Sequence, residues 1–310
     1  MPEKIKIVII LGPTAAGKSD FGVTLAKKFK GEIISADSRQ VYRGMDIGSG
    51  KITQGEMRGV RHWMLDIASP RGKNYNAAKF QKDALKKIQE IQKSGQVPFL
   101  VGGTGFWIDS IALNKTFPNV KPDIKLREKL AALPTTTLFR NLEKLDPLRA
   151  TSIDKHNRVR LIRALEIALS LKNPAKPAKS TQPTKNKFII EPLLIGLDMP
   201  SEKLFHRIEK RLDQRIKSGM IEEVNSLHRQ GISWKKLEEF GLEYRFIAQY
   251  LQKKISAEKM HELLGYAIKH YAGRQRTWFK RNPAIIWLDP TKKTSLKRAE
   301  SAIKNFLAKN

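Results

Sequence analysis

Lys18 and Ser19 close the octet Gly12-Pro-Thr-Ala-Ala-Gly-Lys-Ser19, and here the sequence first offers chemistry. The pattern Gly-x-x-x-x-Gly-Lys-Ser binds linked phosphates. Its glycines let backbone N–H groups turn inward around phosphate oxygens. The N-terminus of the helix that follows adds partial positive charge. Lys18 supplies a point charge, and Ser19 a hydroxyl able to sit on Mg²⁺. Gly12, Pro13, Thr14, Ala15, Ala16, Gly17, Lys18 and Ser19 are thus a candidate phosphate cradle. The octet alone does not say whether its guest is a nucleotide, or what reaction follows. Two further stretches carry candidate groups. Asp37 stands in Ala36-Asp-Ser-Arg-Gln-Val-Tyr-Arg-Gly-Met-Asp-Ile-Gly48. There it could act on a nucleophile beside the phosphates, or simply cap its own loop, as turn aspartates do. Gly102-Gly-Thr-Gly105 reads either as backbone that a ligand can approach, with the Thr104 hydroxyl in reach, or as a tight strand-to-helix turn.

These residues need a scaffold, and the surrounding pattern supplies one. The apolar run Ile7-Val-Ile-Ile-Leu11 precedes the octet, and Phe21, Leu25 and Phe29 follow at helical spacing. Strands are expected at residues 6–11, 32–36, 62–67 and 97–101, with a helix over 77–93. Short apolar strands alternating with helices predict a parallel α/β sheet flanked by helices, with ligands at the carboxyl ends of its strands. The character changes near residue 114. Helical patterns at 125–132, 137–142 and 158–171 predict a helical insertion over 115–192. Within it, Lys172–Lys187 is rich in lysine and proline and reads as a linker. The core, residues 1–114 and 193–310, resumes with a strand at 193–197. Leu204, Ile208, Leu212 and Ile216 then stripe one face of a helix capped by Ser201 and stopped by Gly219. Arg207, Arg211 and Arg215 repeat at the same spacing on a neighbouring face. A second long helix is expected over 257–279, a last strand over 284–288 and a last helix over 295–307.

Composition narrows the function. The 310 residues carry 59 Lys+Arg against 30 Asp+Glu, a net charge of +29. That excess implies a polyanionic partner, nucleic acid first. Cysteine is absent, which excludes disulfides, thiol nucleophiles, Cys-ligated zinc and iron–sulfur clusters. Met1-Pro-Glu-Lys-Ile-Lys6 leads directly into the first strand, so no signal peptide is expected. With no apolar run of membrane-spanning length, a cytoplasmic protein is expected.

Taken together, residues 12–19, Ser35-Ala-Asp-Ser-Arg-Gln-Val-Tyr-Arg-Gly-Met-Asp-Ile-Gly48 and Gly102–Gly105 resemble the bacterial tRNA dimethylallyltransferases, also called tRNA isopentenyltransferases. His62-Trp-Met-Leu-Asp-Ile67, Arg163-Ala-Leu-Glu166, Arg207-Ile-Glu-Lys-Arg211 and Arg274-Gln-Arg-Thr-Trp-Phe279 follow in the family's order. The resemblance implies transfer of the five-carbon group of dimethylallyl diphosphate to N6 of adenosine 37 in tRNA, with Mg²⁺ near Ser19. It implies that Asp37 takes the proton from N6 and that Thr14 sits beside the diphosphate. Arg207 and Arg211 join the cradle as diphosphate clamps. For the tRNA anticodon stem-loop it implies Asp37, Ser38, Arg39, Gln40, Thr104, Arg127 and the run Val159, Arg160, Leu161, Ile162 and Arg163. Gly241, Tyr244 and Arg245 keep the residue types of a further tRNA-touching segment, at wider spacing. A monomer is expected. Trp278 and Phe279, set between arginines, suit either stacked bases or core packing. A P-loop small-molecule kinase would share residues 12–19 but leaves the +29 charge unexplained. A non-enzymatic RNA-binding protein is opposed by the intact Lys18, Ser19 and Asp37.

Overall fold

The computed structural model describes residues 3–72, 74–172 and 188–309. Its first element, β1 (Glu3–Leu11), is built from the apolar run, and Ile7 to Leu11 are almost wholly buried. A parallel strand hidden on both faces needs such a continuous run. In chain order there follow α1 (Lys18–Lys28), β2 (Gly31–Ala36), α2 (Gln54–Met57), β3 (His62–Trp63), α3 (Ala77–Lys93), β4 (Val97–Gly102) and α4 (Gly105–Ala112). Next come α5 (Ile124–Ala131), α6 (Thr135–Leu145), α7 (Pro147–Ala150) and α8 (Arg158–Lys172). The chain continues through β5 (Phe188–Leu197), α9 (Ser201–Lys217), α10 (Met220–Arg229), α11 (Trp234–Phe240), α12 (Leu242–Leu251), α13 (Ala257–Phe279), β6 (Ile286–Leu288) and α14 (Thr294–Ala308).

Among the described residues, six strands form one sheet in the order β3-β2-β4-β1-β5-β6, with all their pairings parallel. This is the expected sheet flanked by helices. β1 is central, so residues 12–19 emerge in the crevice at the strands' carboxyl ends, between α1 and the loops after β2 and β4.

By packing, the chain divides into two units, residues 1–115 with 188–310, and residues 116–187. The smaller has its own core of Leu130, Leu138, Leu142, Ala150, Leu161, Ala164 and Leu165. Inside it Glu166, fully buried, takes Arg127 Nε on Oε1 at 2.9 Å and Nη2 on Oε2 at 2.8 Å. Arg163 Nη1 donates to the same carboxylate, and the Asp123 amide closes the set at 2.6 Å. Burial opposes ionisation of Glu166, but these donors outweigh it and hold the carboxyl below its ordinary range. Of the lysine- and proline-rich linker expected over 172–187, Lys172 ends α8, and residues 173–187 lie outside the described residues.

Several local expectations change. The strand expected over 62–67 is only His62–Trp63. Met64 and Asp66 adopt left-handed backbone, φ 65° and 54°, which ends the strand. The segment instead bonds the loop after β2 through Asp66 N–H to Gln40 O and Ala68 N–H to Val41 O. β5 starts at Phe188 and runs beside β1 over its whole length. Ser201 is the first helical residue of α9 rather than its cap, because Pro200 occupies the cap position. Its hydroxyl instead accepts from Arg276 Nη1 at 2.7 Å. Gly219 does separate α9 from α10, at φ 95°. Among the described residues, no helix is long and apolar enough to cross a membrane.

Candidate active site

The loop between β1 and α1 turns on Gly17, at φ 84°, as the cap of α1. That backbone is open to glycine at little cost, and it aims the first amides of α1 at the crevice. Thr14 is held from two sides. Its N–H donates to Gln275 Oε1 on α13 at 2.7 Å, and its hydroxyl accepts from Arg211 Nη2 on α9 at 2.5 Å. Gln275 Nε2 also donates to Gly103 O at 2.8 Å, so one buried amide joins the cradle to the loop after β4. Lys18 Nζ donates to Pro13 O at 2.7 Å.

A cavity of about 270 Å³ opens beside this loop, bordered by Thr14, Ala15, Gly17, Lys18, Ser19, Asp37, Gln40, Arg211 and Arg215. Ile33, Ile52 and Val101 give it an apolar wall, and Ser35 and His62 add polar groups. Burial pushes the Lys18 ammonium down to about 8, with Arg211 adding to the fall and Asp37 opposing it. Burial and then the charge of Arg215 bring the Arg211 guanidinium down to about 9. Desolvated cations so close together raise each other's cost, which an anion in the cavity would offset.

Asp37 caps its own loop and also stands at the cavity. Its Oδ1 accepts from the Arg39 amide at 2.8 Å and the Gln40 amide at 3.4 Å, an Asx turn. The same carboxylate borders the cavity and acts electrostatically on Lys18 and Arg211. The loop it caps is wired in place. Ser38 N–H donates to Thr104 Oγ1 at 3.1 Å, Arg39 Nε to Phe240 O at 2.7 Å, and Gln40 Nε2 to Gly50 O at 3.0 Å. On α13, burial and the charge of Asp37 push the Tyr271 phenol up.

The Gly102–Gly105 turn proves to be a packing device. A Cβ at Gly102 would meet Ala36 O at 2.3 Å, at Gly103 Gln275 Nε2 at 2.4 Å, and at Gly105 the Trp278 ring at 2.3 Å. Gly103 does border the cavity, but neighbouring protein atoms require these glycines.

Not every expected residue has side-chain atoms to spare for a ligand. Tyr244 is 1% exposed, with its hydroxyl donating to Glu223 Oε1 at 3.0 Å, so it is core and not a surface contact. Gly241 is the hinge between α11 and α12, and Arg245 Nε is used on Glu238 O at 3.2 Å. Leu161 is fully buried, and Ile162 packs against the same small core. Arg127 and Arg163 are engaged by Glu166, whereas Val159 and Arg160 are exposed. Arg207 lies beside the cradle, its Nη1 3.7 Å from where a Cβ on Gly17 would be. Of the aromatic pair, Phe279 is buried, and Trp278 Nε1 donates to Asp109 Oδ2 at 3.1 Å. Core packing claims the first and most of the second.

Sequence reasoning missed Gln275, Glu223 and Glu243. Glu223 accepts from three successive amides, Asp46 at 2.8 Å, Ile47 at 2.6 Å and Gly48 at 3.1 Å, and so pins the loop that carries Gly50. A lone glutamate on a helix gives no sequence signal of such a partner. Arg215 had one, its place in the arginine stripe of α9.

A family model described as IPP transferase matches residues 40–282. The tRNA dimethylallyltransferase 2 of Treponema denticola is 43% identical over 282 residues, covering 91% of this chain and 93% of that protein. That of Shewanella sediminis is 41% identical over 279 residues, covering 90% of each. The crystal structure of a tRNA isopentenylpyrophosphate transferase from Bacillus halodurans superposes with a TM-score of 0.72 at 34% identity, covering 99% of this chain and 97% of that one. A eukaryotic dimethylallyltransferase acting on tRNA, at 24% identity and a TM-score of 0.81, shares the fold across 98% of this chain and 80% of its own.

Proposed function

The chain belongs to the IPP transferase family, and from that premise we propose that it is a tRNA dimethylallyltransferase acting at N6 of adenosine 37. One observation carries the reading at the site: a phosphate cradle and the Asp37 carboxylate border a single cavity in a member of this family.

In the proposed reaction, N6 of adenine attacks C1 of dimethylallyl diphosphate. The new N–C bond forms as the C–O bond breaks, and diphosphate leaves with the bonding pair. Negative charge grows on the leaving group, so donors aimed at it act more strongly in the transition state than in the ground state. The cradle amides after Thr14, with Lys18, Arg207 and Arg211, serve that purpose, since the Thr14 N–H is taken by Gln275. Thr14 is positioned for it by Arg211 and Gln275. Adenine N6 is a weak nucleophile because its lone pair is delocalised into the ring. Asp37 accepts its hydrogen bond and then its proton, leaving the product amine neutral. The target base leaves the anticodon-loop stack to reach this depth.

Mg²⁺ takes one or two protein oxygens, substrate phosphates and water rather than a cage of carboxylates. The Ser19 hydroxyl at the cavity edge fits that. Bound there, Mg²⁺ would neutralise charge on the leaving diphosphate.

The tRNA contacts fall on side chains with donors or surface to offer, Arg160 and Val159 on α8 and Ser38 to Gln40 beside Thr104. Tyr244 and Leu161 act by packing. The protein works as a cytoplasmic monomer on the anticodon stem-loop. The test combines purified protein, Mg²⁺, dimethylallyl diphosphate and an anticodon stem-loop with adenines at 36–38, without ATP, and weighs the RNA. A gain of one C5H8 unit that is lost when adenosine 37 is replaced supports the reading. No gain, with ATP consumed on a small acceptor, would favour a kinase instead.

A further inference from the structure

Arg215 sits one turn beyond Arg211 on α9, and the reaction as drawn does not use it. It borders the same cavity, with its side chain 15% exposed. Its partners are few and distant. Nη1 lies 3.4 Å from Gly48 O and 3.5 Å from Glu243 Oε1, both at the outer limit of hydrogen bonding. The contrast with the smaller unit is direct, where Arg127 meets Glu166 in a two-pronged pair at 2.8 and 2.9 Å. A guanidinium has five N–H donors in a fixed fork, and a purely structural arginine would be expected to close such a pair.

The surroundings hold this guanidinium in position. Gly50, at φ 61°, lies so close that a Cβ there would fall 1.5 Å from Arg215 Nη2. The loop carrying Gly50 is fixed from behind by Glu223 on three amides and from the front by Gln40. The acids at the cavity rim do not neutralise the inner cations. Asp20 is exposed and paired with Arg58, and Glu56 closes the capping box of α2 with Thr53. That leaves Lys18, Arg211 and Arg215 against Asp37 and, behind Arg215, the buried Glu243.

We propose that Arg215 is a third arginine of the diphosphate site, held at the cavity by Gly50 and Glu243 and donating to the phosphate oxygens of donor and product. The proposal rests on the cavity being the diphosphate site of the prenyl transfer. Residues 211 and 215 are about 6 Å apart along the helix axis, and both side chains border the cavity, so linked phosphates could bridge them. An anion between Arg211 and Arg215 offsets the repulsion that burial leaves between them.

The test is equilibrium binding of inorganic diphosphate, and separately of dimethylallyl diphosphate, to the full chain without RNA. Anticodon stem-loop affinity is measured alongside. Arg215→Gln keeps a donor for Gly48 O and Glu243 but removes the charge. It should weaken both diphosphates about 10- to 100-fold and leave RNA affinity within about twofold. Arg215→Lys, which keeps the charge, should recover most of the loss. Gly50→Ala displaces the guanidinium without altering it, and should reproduce the loss even if the Arg215 variants fold poorly. Diphosphate affinity unchanged in Arg215→Gln and Gly50→Ala would overturn the proposal. So would a loss confined to RNA, which would make Arg215 an RNA contact. Wild-type protein that binds no diphosphate would overturn the reading of the cavity as well, and so is distinguishable from failure of Arg215 alone.

Discussion

Asp37 spends one oxygen on its own loop and faces the cavity with the same carboxylate, so its removal tests two things at once. Asp37→Ala should lower kcat about 10²- to 10⁴-fold while stem-loop affinity stays within a fewfold, as single-turnover rates and filter binding would read. Asp37→Asn keeps an acceptor for the Arg39 amide but cannot take a proton. An equal fall in that variant would separate base chemistry from loop capping. The cradle cations add a pH dependence. Lys18 is lowered from 10.5 to about 8, and Arg211 to about 9. In the ligand-free protein, the unfolded chain therefore holds these protons to higher pH than the folded one. On this account, stability rises with pH from about 8 towards 10.5. Affinity for dimethylallyl diphosphate has the opposite sign, falling as pH climbs through about 8 and the Lys18 charge is lost. Calorimetric titrations between pH 7 and 9.5 should show the fall, and Lys18→Met should flatten it.

At the scale of elements, the sequence was most legible where a pattern is local. The helix of 257–279 matches α13 because its apolar positions and its cap, Ser256, lie within the segment. Residues 97–101 and 77–93 likewise became β4 and α3. Legibility failed where the deciding partner is remote. Gln275 and Thr14 bond across 261 positions, and no spacing announces that. The glycines at 102, 103 and 105 are demanded by β2, Gln275 and Trp278. β3 stopped early for a backbone reason, at Met64, that hydropathy does not encode. Two carboxylates carry much of the inter-element wiring and should be costly to lose. Glu223→Ala removes the acceptor of three loop amides and of Tyr244, and should destabilise the protein by about 3 kcal/mol in urea titrations. Its KM for the prenyl donor should rise as the loop carrying Gly50 loosens. Glu166→Ala leaves Arg127 and Arg163 without their shared acceptor, and should cost the smaller unit about 3 kcal/mol. Hydrogen exchange should locate that loss in α5 and α8, with β1 and β4 protected as before.

For the whole molecule, the charge of +29 sets how RNA arrives. Stem-loop affinity should fall steeply between 50 and 200 mM salt, by roughly tenfold or more, and a flat profile would show that the excess charge serves another purpose. Charge was readable from composition, but where it is usable was not, since Arg127, Arg163 and Arg276 are spent on protein carboxylates. The sheet order has a different consequence, in time. β1 lies between β4 and β5, and β5 comes only after the helical unit has been made. While the ribosome translates from Gly102 to Phe188, β1 is therefore an open edge, for roughly 4–17 s at ~5–20 residues per second. Through that interval the strand leading into the cradle offers its hydrogen-bonding groups to any neighbouring chain. Nascent chains stalled near residue 150 should need chaperone cover that chains released past Leu197 do not.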